Sequence, residues 1–164
     1  MGYNLTIAVI PGSFDPITYG HVDIIRRGLV LFDKVIVAVA RNPEKTPIFN
    51  EEERCEMIRE VFKDEKNIEI DLLDGLLVGY CRKKNVPFVL RGLRVLSDFE
   101  YEFRMALMNR KLADEIETVY VMPREQFSYI SSKLVREIAS YDGPLSYFVP
   151  ENVERRLRKK FGFV

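Results

Sequence analysis

The six residues from Val35 to Ala40, VIVAVA, form an unbroken and mostly β-branched apolar run. Such a run reads as a strand buried on both faces, which demands a parallel sheet with helices packed on either side. Leu5 to Ile10, Asn67 to Leu72, Pro87 to Leu90 and Thr118 to Met122 are further short strand candidates. Helical spacing fills the gaps between them. His21 to Phe32 sets Val22, Ile25, Leu29 and Phe32 on one face, with Arg26 and Arg27 on the other. Asn50 is a good cap for a second helix, with Glu53 at the capping-box position and Met57, Ile58, Val61 and Phe62 as its apolar stripe. Leu76 to Asn85 reads as a third helix. Ser97 to Ala113 is the longest, with Phe99, Phe103, Ala106, Leu107 and Leu112 expected inward. Ser131 to Ser140 and Glu151 to Lys160 close the chain as helices.

Strand and helix alternate without a repeat or a linker, so residues 1–164 are expected to form one α/β domain. Its expected core is a doubly wound five-stranded parallel sheet with helices on both faces. Ligands of such sheets bind beyond the carboxyl ends of the strands, where the strand order reverses. Functional residues should therefore lie where strands give way to helices.

Composition removes several classes of function. The 25 Lys and Arg residues balance 25 Asp and Glu, so no general charge draws the chain to nucleic acid or to an anionic membrane. No apolar run approaches the roughly 18 residues of a membrane span, and the first residues lack a secretory h-region. Cys55 and Cys81 are too distant for a CxxC motif and too few for a disulfide framework, which suits reduced thiols in a cytoplasmic protein. His21 is the sole histidine, so a multi-histidine metal site is excluded.

Chemistry-bearing residues gather at four strand ends. Gly12-Ser13-Phe14-Asp15-Pro16 follows the first strand, and Gly20-His21 opens the first helix. Free N–H groups at a helix start favour anions, and His21 would face the same place. Lys45 sits in the loop after the second strand, where on its own it would read as a solvated surface residue. Arg91-Gly92-Leu93-Arg94 follows the fourth strand, two forked cations around a glycine, a pattern suited to phosphate. After the fifth strand, Ser131 or Ser132 would cap the next helix and present further N–H groups. Together these loops describe a site for a nucleotide and a second phosphorylated group. Neither a GxGxxG fingerprint nor a GxxxxGK[ST] loop is present.

These motifs, in this order, resemble the phosphopantetheine adenylyltransferases, a branch of the nucleotidylyltransferase superfamily recognised by an HxGH-type motif. The resemblance runs from Pro11-Gly12-Ser13-Phe14-Asp15-Pro16 to Val149-Pro150-Glu151-Asn152-Val153. Its most specific parts are Gly20-His21, Arg91-Gly92-Leu93-Arg94, Asp98-Phe99-Glu100-Tyr101-Glu102 and Ile130-Ser131-Ser132. It implies a Rossmann-like fold, transfer of AMP from ATP to 4′-phosphopantetheine, and Mg²⁺ bound with the ATP rather than in a protein metal site. It also implies a homohexamer of two stacked trimers, with coenzyme A as a candidate feedback ligand.

By the same resemblance, His21, Lys45 and Ser13 are the catalytic positions, holding the reacting phosphates. Ser13, Phe14, His21, Gly92, Leu93, Arg94 and Glu102 correspond to ATP contacts. So do Phe127, Ser128, Tyr129, Ile130, Ser131, Ser132 and Lys133. Ser13, Lys45, Leu77 and Arg91 correspond to contacts with phosphopantetheine. Three positions depart from common patterns: Thr18 replaces the first His of HxGH, as is usual in this branch, Phe127 stands for Trp or Tyr, and Lys133 for Ser or Thr. Thr18 and Ile130-Ser131-Ser132 weigh against a cytidylyltransferase or a nicotinate-nucleotide adenylyltransferase. A non-catalytic nucleotide sensor would have little use for His21, Lys45 and both arginines together.

Overall fold

The structure is a computed structural model describing residues 5–41 and 46–163, with the backbone alone at 96 and 97. Its strands are β1 (Ile7–Gly12), β2 (Lys34–Ala40), β3 (Ile68–Leu73), β4 (Phe88–Gly92) and β5 (Glu117–Val121). Its helices are α1 (Tyr19–Leu31), α2 (Glu51–Val61), α3 (Leu77–Lys84), α4 (Leu96–Leu112), α5 (Ser132–Ser140) and α6 (Glu151–Phe161). A short 3₁₀ turn, Glu125–Phe127, which the sequence pattern did not indicate, precedes α5.

The strands lie in the order β3-β2-β1-β4-β5, and every neighbouring pair is parallel. The order reverses between β1 and β4, so the carboxyl ends of those two strands form the switch point. β2 behaves as its composition requires. Val35, Val37 and Val39 enter a core shared with α1, α2, α5 and α6, while Ile36 and Ala38 enter a second core with α3. Alternation along a strand sends successive side chains to opposite faces, and here both faces are covered.

At α2 the capping box forms as read from the sequence: Asn50 Oδ1 accepts from the Glu53 N–H at 2.9 Å, and Glu53 Oε2 accepts from the Asn50 N–H at 2.8 Å. Both cysteines are buried and unpaired, and burial pushes the Cys81 thiol up to about 11.

Two expectations need correction. β4 runs on to Gly92 rather than ending at Leu90, so Arg91 belongs to the strand and pairs in register with Tyr120. A cation is tolerated there because its donors are bonded within the protein, as described below. The stripe of α4 also faces the other way. Phe99, Phe103, Leu107 and Leu112 are each about half exposed, and Phe99 stacks on Phe103 with ring centroids 5.7 Å apart. Asp98, Glu102, Met105, Ala106 and Asn109 occupy the more sheltered side, one helical stripe that leads to buried Ala113. Apolar spacing alone cannot tell a core face from a face awaiting a partner.

Gly28 shows how closely α1 lies on the sheet. A Cβ there would sit 2.9 Å from Leu90 Cδ2 and 3.1 Å from Val35 Cγ2. Gly28→Ala is therefore expected to lower the melting temperature. Overpacking costs about 1 to 3 kcal/mol, and helix propensity returns only about 1 kcal/mol. A thermal melt at or above the wild-type value would show that Leu90 turns aside freely.

Candidate active site

The site grows from the end of β1. Phe14 takes a left-handed backbone (φ 46°) that turns its ring inward, where it packs edge-on against His21 with centroids 5.0 Å apart. A Cβ on Gly12 would fall 2.9 Å from that ring, so glycine is required at this position. With its ring buried, Phe14 has only its backbone to offer a nucleotide. Ser13 beside it is exposed.

Thr18 is the N-cap of α1, which starts at Tyr19, slightly before the expected Gly20-His21. Its Oγ1 accepts from the His21 N–H, and its own N–H donates to His21 Nδ1 at 3.0 Å. A ring nitrogen that accepts a backbone N–H carries no proton of its own. In the neutral ring the proton therefore resides on Nε2, which is left as a donor. Burial pushes the His21 pKa down to about 4, with the charges of Arg94 and Arg91 acting in the same direction. At neutral pH His21 is an uncharged N–H donor at a helix N-terminus.

The two arginines come from β4 and the turn after it. Arg91 Nε donates to Glu102 Oε2 at 2.9 Å, Nη2 donates to Glu102 Oε1, and Nη1 donates to the Pro11 carbonyl at 2.9 Å. Burial opposes its charge, but the Glu102 carboxylate outweighs that and holds the guanidinium above its usual range. Glu102 is only 7% exposed, so its partner is Arg91 before any ligand arrives. Three of the five guanidinium N–H groups are used, which leaves two for a ligand. Arg94 forks onto Asp98 and donates Nη1 to the Ile130 carbonyl at 3.0 Å. Gly92 packs on Ile24, and the Leu93 N–H bonds to the Val121 carbonyl, fixing the turn between the arginines.

The segment after β5 closes the other side. Its Phe127 ring lies 6.2 Å from Tyr19, and Gly20 leaves room for the Phe127 and Ile130 carbonyls, which approach its absent Cβ at 3.4 and 3.8 Å. Ser131 is the cap of α5, its Oγ accepting from the Leu134 N–H, while Ser132 Oγ donates to the Pro16 carbonyl at 2.8 Å. Ser128 Oγ is turned back onto the Glu125 carbonyl, and Tyr129 and Lys133 face solvent.

Most of the expected residues thus meet at the switch point between β1 and β4. Leu77 begins α3 beyond the carboxyl end of the edge strand β3, which lies two strands from β1 in the same sheet. Lys45 lies outside the described residues. A cleft of about 740 Å³ opens beside Ser13, lined among others by Arg41, Thr46, Arg54, Arg136 and Lys160.

Three buried charged residues received no role from the sequence. Arg54 donates Nη1 to the carbonyls of Ser13 (2.6 Å) and Ala40 (3.1 Å). Asp15 accepts the N–H groups of Ile48 and Phe49, both at 3.0 Å. Asp23 accepts the Arg124 N–H at 2.9 Å and pairs with Arg27. Their one signal was a charge placed among inward-facing neighbours.

The chain matches the cytidylyltransferase-like family over residues 9–138. A phosphopantetheine adenylyltransferase from Caldanaerobacter subterraneus subsp. tengcongensis is 54% identical over 157 residues, covering 96% of this chain and 98% of its own. The enzyme of the same name from Carboxydothermus hydrogenoformans is also 54% identical, covering 96% and 97%. Among solved structures, a Vibrio parahaemolyticus protein provisionally named a nicotinate-nucleotide adenylyltransferase superposes with a TM-score of 0.71. It is 17% identical and covers 94% of this chain and 99% of its own. A lipopolysaccharide core biosynthesis protein from Thermoplasma volcanium has a TM-score of 0.57 at 22% identity, covering 74% and 100%. At such identities the structural likeness speaks for the fold alone.

Proposed function

The chain belongs to the cytidylyltransferase-like family and, within it, to the phosphopantetheine adenylyltransferases, and on that premise we propose how its residues carry the reaction. The enzyme transfers the adenylyl group of ATP to 4′-phosphopantetheine, giving dephospho-coenzyme A and pyrophosphate. A phosphate oxygen of phosphopantetheine bonds to the α-phosphorus of ATP as the bond to the β-phosphate oxygen breaks. Pyrophosphate leaves with that electron pair. The incoming phosphate is already a nucleophile, so the protein has to supply position and charge stabilisation rather than a base.

The arrangement of His21 carries this reading. Its Nε2–H, fixed by the Thr18 bond to Nδ1, points its donor capacity at the charge that develops around the α-phosphorus. The N-terminus of α1, the cap region of α5 and Arg94 add to the same field on the ATP side. Arg91, oriented by Glu102, offers its two remaining donors to the phosphopantetheine phosphate, and Lys45 and Ser13 serve where the two substrates meet. Glu102 thus acts through Arg91, while Phe14, Gly92, Leu93 and the stretch from Phe127 to Lys133 shape the nucleotide side largely by backbone. Glu102 and Asp98 are committed to arginines, and no cluster of three metal-binding side chains occurs among the described residues. Mg²⁺ is assigned to the ATP, as part of the substrate, as the family resemblance implies.

Pyrophosphate release from a panel of ATP, CTP and GTP against phosphopantetheine, pantetheine and nicotinate mononucleotide tests the reading. Release is expected with ATP and phosphopantetheine alone. Comparable release with CTP, or with nicotinate mononucleotide, would overturn it.

The same premise extends to a cytoplasmic homohexamer with coenzyme A as feedback ligand. No helix among the described residues is long and apolar enough to cross a membrane. Exposed Phe99, Phe103, Leu107 and Leu112 give α4 a face whose burial between subunits would stabilise such an assembly. A single-chain mass in sedimentation would sink the oligomer.

A further inference from the structure

Asp23 is 7% exposed, and no step of the reaction uses its carboxylate. It lies on α1 one turn after Gly20, so the two share a face of the helix, while His21 projects from another. The shared face carries the polypeptide that runs from β5 to α5. Asp23 Oδ2 accepts the Arg124 N–H at 2.9 Å across 101 residues of sequence, and the Phe127 and Ile130 carbonyls approach Gly20 closely. Arg27 Nε, one turn further along α1, donates to the same Oδ2 at 3.0 Å, and Arg124 Nε lies 3.4 Å from Oδ1.

The segment that Asp23 holds is bonded largely to itself. The Phe127 N–H donates to the Arg124 carbonyl at 2.9 Å, the Ser128 N–H and Oγ both donate to the Glu125 carbonyl, and the Ile130 N–H donates to the Phe127 carbonyl at 3.2 Å. A block with such internal bonds keeps its shape but takes its position from whatever fastens its ends. At the far end the fastener is Arg94 Nη1 on the Ile130 carbonyl, at 3.0 Å. At the near end it is the Asp23 carboxylate on the Arg124 N–H. Both are charge-assisted bonds to main-chain groups, about twice as strong as neutral ones. Packing of Phe127 against the core adds attraction but no direction.

We propose that Asp23 is a positioning residue for the nucleotide: by gripping the Arg124 N–H it holds residues 124–130 in register with the helix that carries His21. The backbone on the base side and the donor on the phosphate side are then placed from one element. The proposal rests on the assignment of residues 127–133 to the nucleotide side above. Without the grip the block occupies its binding-competent place for only part of the time, and the apparent affinity for ATP falls by that fraction. Saturating ATP restores the block, so the loss falls on the KM for ATP and not on kcat.

The test reads KM for ATP and for phosphopantetheine, kcat and melting temperature in three variants. Asp23→Ala removes the grip and should raise the KM for ATP about tenfold, with kcat at saturating ATP and the KM for phosphopantetheine within about twofold of wild type. Arg124 has φ −59°, the angle a proline ring fixes, so Arg124→Pro deletes the gripped N–H without forcing a new φ. It should reproduce the Asp23→Ala effect, and because Arg27 still pairs with Asp23 it serves if Asp23→Ala folds poorly. Arg124→Ala keeps the N–H and loses only an exposed ion pair, so its KM for ATP should stay within about twofold of wild type. A lower melting temperature with an unchanged KM for ATP in Asp23→Ala and Arg124→Pro would make Asp23 a prop of the fold alone. That result overturns the proposal and leaves the nucleotide side as assigned. An Arg124→Ala defect as large as that of Arg124→Pro would put the effect in the guanidinium and overturn it equally. A rise confined to the KM for phosphopantetheine would overturn the assignment of residues 127–133 as well.

Discussion

His21→Ala is expected to lower kcat by about 100- to 1000-fold while leaving the KM for ATP and for phosphopantetheine within a small factor of wild type. A preorganised donor aimed at developing charge contributes on the order of 3 kcal/mol to the transition state and little to the ground state. His21 fits that description because its neutral ring is held by two contacts that leave Nε2 open: Thr18 bonds Nδ1 at 3.0 Å, and the Phe14 ring packs edge-on against it. Little of the ring's orientation remains to be found when substrate binds. Single-turnover kinetics at saturating substrate make the measurement. An unchanged kcat would remove His21 from the chemical step.

The burial that keeps His21 neutral also has a pH signature in the unliganded protein. The folded-state pKa is lowered from 6.5 to about 4, so between those values the unfolded chain binds a proton that the folded protein does not. The contribution of His21 to stability is whole above pH 6.5 and is lost as the pH falls toward 4. Carboxylates held low by partners, such as Glu60 by Arg156 and Glu69 by Lys34 and Lys84, also lose stability in acid. They do so equally in wild type and in His21→Ala. The wild-type melting temperature should consequently fall more steeply than the mutant's between pH 6.5 and 4. Parallel curves would contradict the buried, neutral state of the ring.

The strand and helix order was legible because burial on both faces leaves an unmistakable run, as at Val35–Val39, and because capping chemistry is local, as at Asn50 and Glu53. The place of the candidate site was legible for a related reason: glycines and cations at strand ends stand out when a parallel sheet is expected, while the roles of its residues came from the family resemblance. What stayed hidden depends on contacts between distant residues. Nothing near Arg91 announces that Glu102, eleven residues on, will take its guanidinium and let β4 continue to Gly92. Asp15, Asp23 and Arg54 were equally opaque, since each acts on backbone groups that local spacing does not predict. The outward stripe of α4 shows the converse: the period was read correctly, but period carries no information about which side meets the sheet.

Arg91→Ala should fail in two separable ways. Loss of the guanidinium leaves the Glu102 carboxylate buried without its partner, and breaking a buried pair by removing one member typically costs about 3 to 5 kcal/mol. The melting temperature should drop by many degrees. Substrate affinity should also suffer, mainly for phosphopantetheine, since an unpaired substrate phosphate loses about 2 to 3 kcal/mol of charge-assisted bonding. Adding Glu102→Gln to Arg91→Ala distinguishes the two losses. The neutral amide relieves the stranded charge, so the double variant should melt higher than Arg91→Ala while its KM for phosphopantetheine stays raised. An equal rise in the KM for ATP would show that Arg91 and Arg94 do not divide the two substrates as assigned. A melting temperature for Arg91→Ala matching wild type would mean that water satisfies Glu102, and that the pair orients Arg91 without holding the fold.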